Sequence, residues 1–350
     1  MVGGLSGKSA IPFGFRFGAE SFILRWPCKI SLFNFFLIIY NIKCDNRLWE
    51  NTMTNLRDVQ SRMRAIRQTL KVTKAMNLIS AAKLRKGRKI LEDTEPFFKR
   101  IQKVMYDILS GTKAIPSEYL LKSPTPASYH SAVVVVTSDK GLVGGYNANI
   151  HHTVTELCAT LKNPVLIIVG SIGNRYFSHD DYPILETFSF RSKLPDMDGT
   201  KEITDFITSH YTWGAFDEVH IVYTHMYNAV KIQPNILQLL PLNAGKIRKE
   251  IEPTSTPGTE SKEELQFKYL PSEQVVFDSI VPFYIKGILY SSLVEAYVSE
   301  QNARMLAMTD ASKNAEEMLS SLQIHFNRVR QASITGEVTE IVSGFATLSE

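Results

Sequence analysis

"LSSLQIHFNRVRQASITGEVTEIVSGFATL" runs from Leu319 to Leu348. Leu319, Leu322, Phe326 and Val329 recur at alternating steps of three and four, the spacing of a coiled-coil seam. After a shift in phase, Ile334, Val338, Ile341, Phe345 and Leu348 repeat the pattern. Between Val338 and Leu348 the only charge is Glu340, so this helix grows apolar where chains usually turn polar. Upstream, Pro282 is the one proline from Val281 onward. The uninterrupted remainder, roughly 65 residues, would make a helix about 100 Å long. A helix of that length needs a partner strand.

The partner is at the other end of the chain. In "TNLRDVQSRMRAIRQTLKVTKAM" (Thr54–Met76), Leu56, Val59, Met63, Ile66, Leu70 and Thr73 follow the same heptad rule. Arg57, Arg62, Arg64, Arg67, Lys71 and Lys74 occupy the remaining faces. The seam is expected to continue through Ile79 and Leu84 until Pro96 ends or kinks the helix. A second apolar segment, Phe97–Leu109, follows. From Met53 to Lys89 there are eleven Lys/Arg and one acid, Asp58. Such asymmetry calls for an acidic partner surface, nucleic acid or anionic lipid. The basic helix 57–89 lacks interleaved aromatics over its first thirty residues, which weighs against stacking on single strands.

Between the two helices, apolar strands alternate with helical segments. Val133–Thr137, Asn163–Ser171, Val219–Thr224 and Val230–Leu240 read as strands, and Asn149–Leu161 as a helix. This is the pattern of an open α/β domain over about residues 128–245. "SDKGLVGGYN" (Ser138–Asn147) follows a strand as a phosphate loop would, yet its glycines fit neither G-x-x-x-x-G-K-[ST] nor G-x-G-x-x-G. A tight strand-to-helix turn explains them, and "VGSIGNR" (Val169–Arg175) likewise. The histidines lack zinc spacing, and no nucleophile–base pair stands out. No catalytic, cofactor or metal site is expected.

The expected fold is therefore α/β plus a long antiparallel coiled coil, with the N- and C-terminal helices paired and a Rossmann-like domain between them. The expected divisions are an atypical leader at 1–52, a first helical region at 53–110, a globular domain at 111–278 and a terminal helix at 279–350. A polar linker is expected near 250–265. The leader places Lys8, Arg16, Arg25 and Lys29 before the apolar run Ile30–Ile42. That run is shorter than the roughly 20 residues a bilayer-spanning helix needs. A start assigned upstream of Met53, a targeting peptide and an anchor are the open readings. Cys28, Cys44 and Cys158 show no metal or disulfide spacing, so a reduced interior is expected.

"RAIRQTLKVTKAMNLISAAKLRK" (Arg64–Lys86), "TSDKGLVGGYNANI" (Thr137–Ile150) and "NRVRQASITGEVTEIVSG" (Asn327–Gly344) resemble the gamma subunit of the F-type ATP synthase. The resemblance covers about residues 53–348. This chain has Phe345 where that family usually has Ala, Gly336 where Gln is common, and Val143 where Cys is frequent. The resemblance implies a non-catalytic rotor shaft of a proton-transporting complex, standing inside a hexamer of alpha and beta subunits. It implies that Arg330, Gln331, Thr335 and Glu337 meet beta-subunit catch loops, and that Met76 lies near the acidic beta lever. It implies an apolar sleeve around Ile341, Phe345 and Leu348. The epsilon subunit and membrane c-ring are the further implied partners, with no nucleic acid. Membrane association through the complex is implied, on the cytoplasmic face of a bacterial plasma membrane or, alternatively, the matrix side of the mitochondrial inner membrane. A nucleic-acid-binding coiled coil and a nucleotide-binding enzyme are the competing expectations.

Overall fold

The computed structural model describes residues 56–111, 115–120, 130–191, 193–229, 231–243 and 269–348. The leader 1–52, the linker near 250–265, Cys28 and Cys44 lie outside the described residues. Two helices dominate: α1 (Leu56–Gly111, 56 residues) and the C-terminal α5 (Glu273–Leu348, 76 residues). At 1.5 Å per residue they are about 84 and 114 Å long. Both exceed expectation. α1 passes through Pro96, and α5 begins at Glu273 and passes through Pro282. Pro96 is exposed, so the Glu92 carbonyl that loses its amide partner is left on the wet face. Met105 and Ile108, buried about two and a half and three turns on, anchor the continuation.

The helices run antiparallel, and their contacts fix the register. Ser312 Oγ donates to Thr73 Oγ1 at 2.8 Å. Asn77 Nδ2 donates to the Met305 carbonyl at 3.0 Å and to Thr309 Oγ1 at 2.7 Å. Gly87 abuts Val298, and Gly287 abuts Phe98. The expected seam holds from Val59 to Thr73, but Ile79 is 50% exposed. Asn77 and Ser80 carry the heptad steps instead, with Ser80 buried and Asn77 half-buried, before Leu84 and Gly87. In this stretch the helices touch through small and polar groups.

The α/β domain inserts between them. Its elements are β1 (Ser131–Val136), α2 (Tyr146–Thr160), β2 (Pro164–Val169), α3 (Gly173–Phe177), β3 (Ile184–Phe188), α4 (Met197–Thr212), β4 (Glu218–Met226) and β5 (Ile232–Leu240). The sheet order is β3-β2-β1-β4-β5, parallel except for the β4–β5 pair. β1 is buried on both faces. Its alternating side chains feed two cores, as a pleated strand requires. Val133 and Val135 pack with Ile150 and Val154 of α2. Ala132, Val134 and Val136 join Ile203 and Ile207 of α4 and Val281, Ile285 and Leu289 of α5. The lower half of the helical pair is thus one wall of the domain's core.

A Cβ on Gly287 would lie 2.4 Å from Phe98 Cδ1. Helix-interior Gly→Ala ordinarily stabilises by about 1 kcal/mol, but overpacking costs about 1–3 kcal/mol. Gly287→Ala is expected to lower the denaturant midpoint, and Phe98→Leu in the same chain to restore part of the loss. A raised midpoint for the single variant would contradict this packing.

Candidate subunit-coupling surface

The register that sets Gly87 against Val298 and Phe98 against Gly287 brings Leu56 level with Val329. Val329 is the last half-buried residue of α5, and every residue from Arg330 to Ala346 is exposed. The final turns of α5 therefore overhang α1's first described residue. Ile334, Val338, Ile341, Val342 and Phe345 are all more than half exposed, Phe345 at 72%. The Leu348 side chain lies outside the described residues. These positions fall within one wide stripe of the helix. Ile334 is five residues beyond Val329, a full turn plus about 140°, so the stripe does not prolong the seam that faces α1.

Polar side chains flank that stripe. Arg330 and Glu337, seven residues apart, lie along one edge, and Gln331 and Thr335 lie along the other. All four are exposed. Thr335 Oγ1 donates to the Gln331 carbonyl at 2.9 Å, which leaves its lone pairs outward. Ser333 Oγ donates to Glu337 Oε1 at 3.4 Å. Arg330 makes no ion pair among the described residues. Met76 is half-buried on α1 beside Asn77, level with Thr309. The structure does not bring Met76 to the other four, since the 21 residues from Thr309 to Arg330 span about 30 Å. The basic face remains open, with Arg64, Arg67, Lys71, Lys74 and Arg85 exposed.

In open sheets of this kind ligands bind in the crevice at the carboxyl ends of the strands where the order reverses, here between β1 and β4. Here α5 fills it. Arg304, 5% exposed, sits 2.6 Å from Glu300 and donates to the Lys140 and Gly141 carbonyls at 3.2 and 3.4 Å. Tyr146 Oη donates to the Ala296 carbonyl at 3.2 Å. Burial pushes the Glu300 carboxyl above the ordinary carboxylate range, against the pull of Arg304. What space remains, about 30 Å³ beside Asp139, Tyr146 and Glu300, suits a water and no larger ligand. The "VGSIGNR" glycines serve packing: Gly170 has φ +113°, and a Cβ there would lie 2.3 Å from the Thr137 carbonyl. Burial pushes the Cys158 thiol up to about 11, which removes thiolate reactivity at neutral pH. Sequence reasoning missed Arg304, Glu300, Asn302 and Ser299. Their signal was a polar run, "SEQNAR", inside an otherwise apolar part of the helix.

Known proteins agree with this anatomy. The ATP synthase family model matches residues 55–348. A chain of Ruminiclostridium cellulolyticum named ATP synthase gamma chain is 40% identical over 295 residues, covering 84% of this chain and 99% of that one. The chain belongs to the ATP synthase gamma-chain family. Another gamma chain, from Acetobacterium woodii and named sodium ion specific, is 32% identical over 302 residues, with 84% and 99% covered. In fold, the chain resembles a chain of the Euglena gracilis mitochondrial ATP synthase assembly of OSCP, F1 and c-ring at TM-score 0.58 and 17% identity, covering 84% and 94% of the two chains. It also resembles a chain from the central stalk and c-ring structure of the Tetrahymena thermophila mitochondrial ATP synthase, at TM-score 0.51 and 24% identity, covering 69% and 99%.

Gly336 and Gly344 have nothing within 4 Å of a built Cβ. Replacing each by Ala should stabilise the overhanging helix by about 0.5–1 kcal/mol. Slower amide exchange over 331–346 in the isolated chain is the expected readout. Unchanged or faster exchange would mean that this segment is packed in a way that excludes a methyl group.

Proposed function

We propose that this gamma chain is the central shaft of a rotary ATP synthase, turning inside a hexamer of alternating alpha and beta subunits. The observation that carries the reading is the overhang: a rigid helix whose apolar stripe is covered by none of the described residues. An exposed patch of that kind marks an interaction site. A sleeve of surrounding subunits around Ile341, Phe345 and Leu348 supplies the missing burial, and the near absence of charge leaves few fixed polar contacts to resist turning. Arg330, Gln331, Thr335 and Glu337, on the two edges of the stripe, meet the beta-subunit catch loops. Met76, far below them, faces the acidic beta lever. Carboxylate-rich loops satisfy the basic face of α1, and the similarity to gamma chains over residues 55–348 favours this over the nucleic-acid reading.

The mechanism follows from asymmetry. A two-helix shaft presents a different face to each of three surrounding sites, so its rotation changes their nucleotide affinity in turn. The gamma chain supplies coupling and performs no bond chemistry. Its foot, the α/β domain with the lower helical pair, rests against the epsilon subunit and the membrane c-ring. Membrane attachment through the complex is part of this reading; among the described residues no helix is long and apolar enough to cross a membrane. We place it at the cytoplasmic face of a bacterial plasma membrane, following the bacterial relatives, with the matrix face of the mitochondrial inner membrane as the alternative. Protons are the proposed coupling ion. The sodium-specific name of one relative belongs to a chain of the same type.

Arg330→Ala and Glu337→Ala each remove one charged hydrogen-bonding partner, worth about 1.5–3 kcal/mol, or roughly tenfold or more in affinity for the hexamer. Reconstituted complexes should show weakened assembly or a lowered ratio of ions pumped to ATP hydrolysed. Pumping, synthesis and assembly equal to wild type in both variants would refute these contacts.

A further inference from the structure

Between Ser292 and Arg304, α5 is wrapped by its own chain, with only Glu295 partly exposed. Its contacts fall along three lines of the helix. Glu295, Ser299 and Asn302 form the first, facing β4 and the turn after it. Glu295 pairs with His225, Ser299 Oγ donates to the Thr224 carbonyl at 2.9 Å, and Asn302 Nδ2 to the Ala229 carbonyl at 2.8 Å. Ala296, Glu300 and Arg304 form the second line, facing the loop after β1 through Tyr146 and the Lys140 and Gly141 carbonyls. The third is Val298, whose Cγ2 lies 2.7 Å from where a Cβ on Gly87 of α1 would stand. The β1 loop is itself held rigid. Asp139 accepts from the Ser171 amide at 3.0 Å and from Ser189 Oγ at 2.8 Å, which ties it to the loops after β2 and β3.

We propose that this crevice is a keyed socket, in which Asn302 and Arg304 are positioning residues that fix the rotational register of the shaft helix against the α/β domain. Apolar packing sets the distance between a helix and its neighbours but tolerates rotation and sliding. Directional hydrogen bonds do not. One residue of slip turns a helix by about 100°, and here that would carry both polar lines off their acceptors together. The carbonyls that receive Arg304 belong to the loop that in nucleotide-binding sheets cradles phosphate, so the socket reuses that site for a piece of its own chain. The torque consequence rests on the rotor reading above: a foot joined to the ring passes torque to the upper shaft without slippage only if this register holds.

The double variant Asn302→Ala/Arg304→Gln removes the distal contacts of both lines. Amide exchange in the full-length chain should accelerate by about tenfold or more over 138–145 and 227–229, as expected for losing charged and neutral hydrogen bonds, while β1 and α2 stay protected. In the assembled complex, ions pumped per ATP hydrolysed should fall several-fold with unloaded hydrolysis nearly unchanged. Asn302→Ala alone strands no charge, so it folds, and it should loosen only 227–229. Unchanged exchange in those segments overturns the socket. So does a parallel fall in hydrolysis and pumping, which would indicate general damage. If the parent chain fails to assemble with a hexamer while the exchange results appear as stated, the rotor reading fails and the socket stands.

Discussion

The antiparallel register of α1 against α5 is the constraint on which the rest of the structure depends. Once Gly87 lies on Val298 and Phe98 on Gly287, no freedom remains in where either helix stops relative to the other. A 76-residue helix paired with a 56-residue one in that register leaves its carboxyl end uncovered. The overhang is a result of register and length together, and it turns an ordinary amphipathic stripe into an unpartnered surface.

Energetics separate the two ends of the shaft. Near the α/β domain, Val281, Ile285, Leu289 and Leu293 are buried in a large shared core. Higher up, Thr73 and Asn77 meet α5 through hydroxyl and amide groups beside the buried Ser80, and the Lys74–Glu316 pair at 2.7 Å is exposed and adds little. At the tip, residues 330–346 are exposed and the described residues give them no burial. Burying one large aliphatic or aromatic side chain is worth about 1.5–3 kcal/mol, so five exposed ones leave a substantial driving force for association. That gradient, from a fixed base to an uncovered point, is what a shaft seated in a separate bearing requires. Arg304 and Glu300 fill the crevice of the sheet and secure that base.

Much of this was legible in the sequence because coiled-coil seams are periodic. Val59, Met63, Leu322 and Val329 lie where the heptad rule puts them, and the phase shift at Ile334 marks the end of pairing. Ile79 was misassigned because reading apolar residues alone cannot see a seam that passes through Asn77 and Ser80. Pro96 was expected to disturb the helix, but its exposure and the burial of Met105 and Ile108 outweigh one missing hydrogen bond. β3 went unassigned because it is a short edge strand with no fully buried residue. α4 went unassigned although Asp196 caps it and Ile203, Ile207 and Tyr211 form its buried face. The crevice was illegible for a different reason: Arg304 and the carbonyl of Lys140 are 164 residues apart, and no local pattern encodes their meeting.

The proposed shaft has a tip that is bare in the free chain and housed by other subunits when assembled. A single cysteine replacing Phe345, in a chain whose native cysteines are changed to serine, reports this through its alkylation rate. The account requires rapid labelling in the isolated gamma chain and near-complete protection once the alpha and beta hexamer has closed around it. Slow labelling in the free chain, or equal rates in both states, would contradict it.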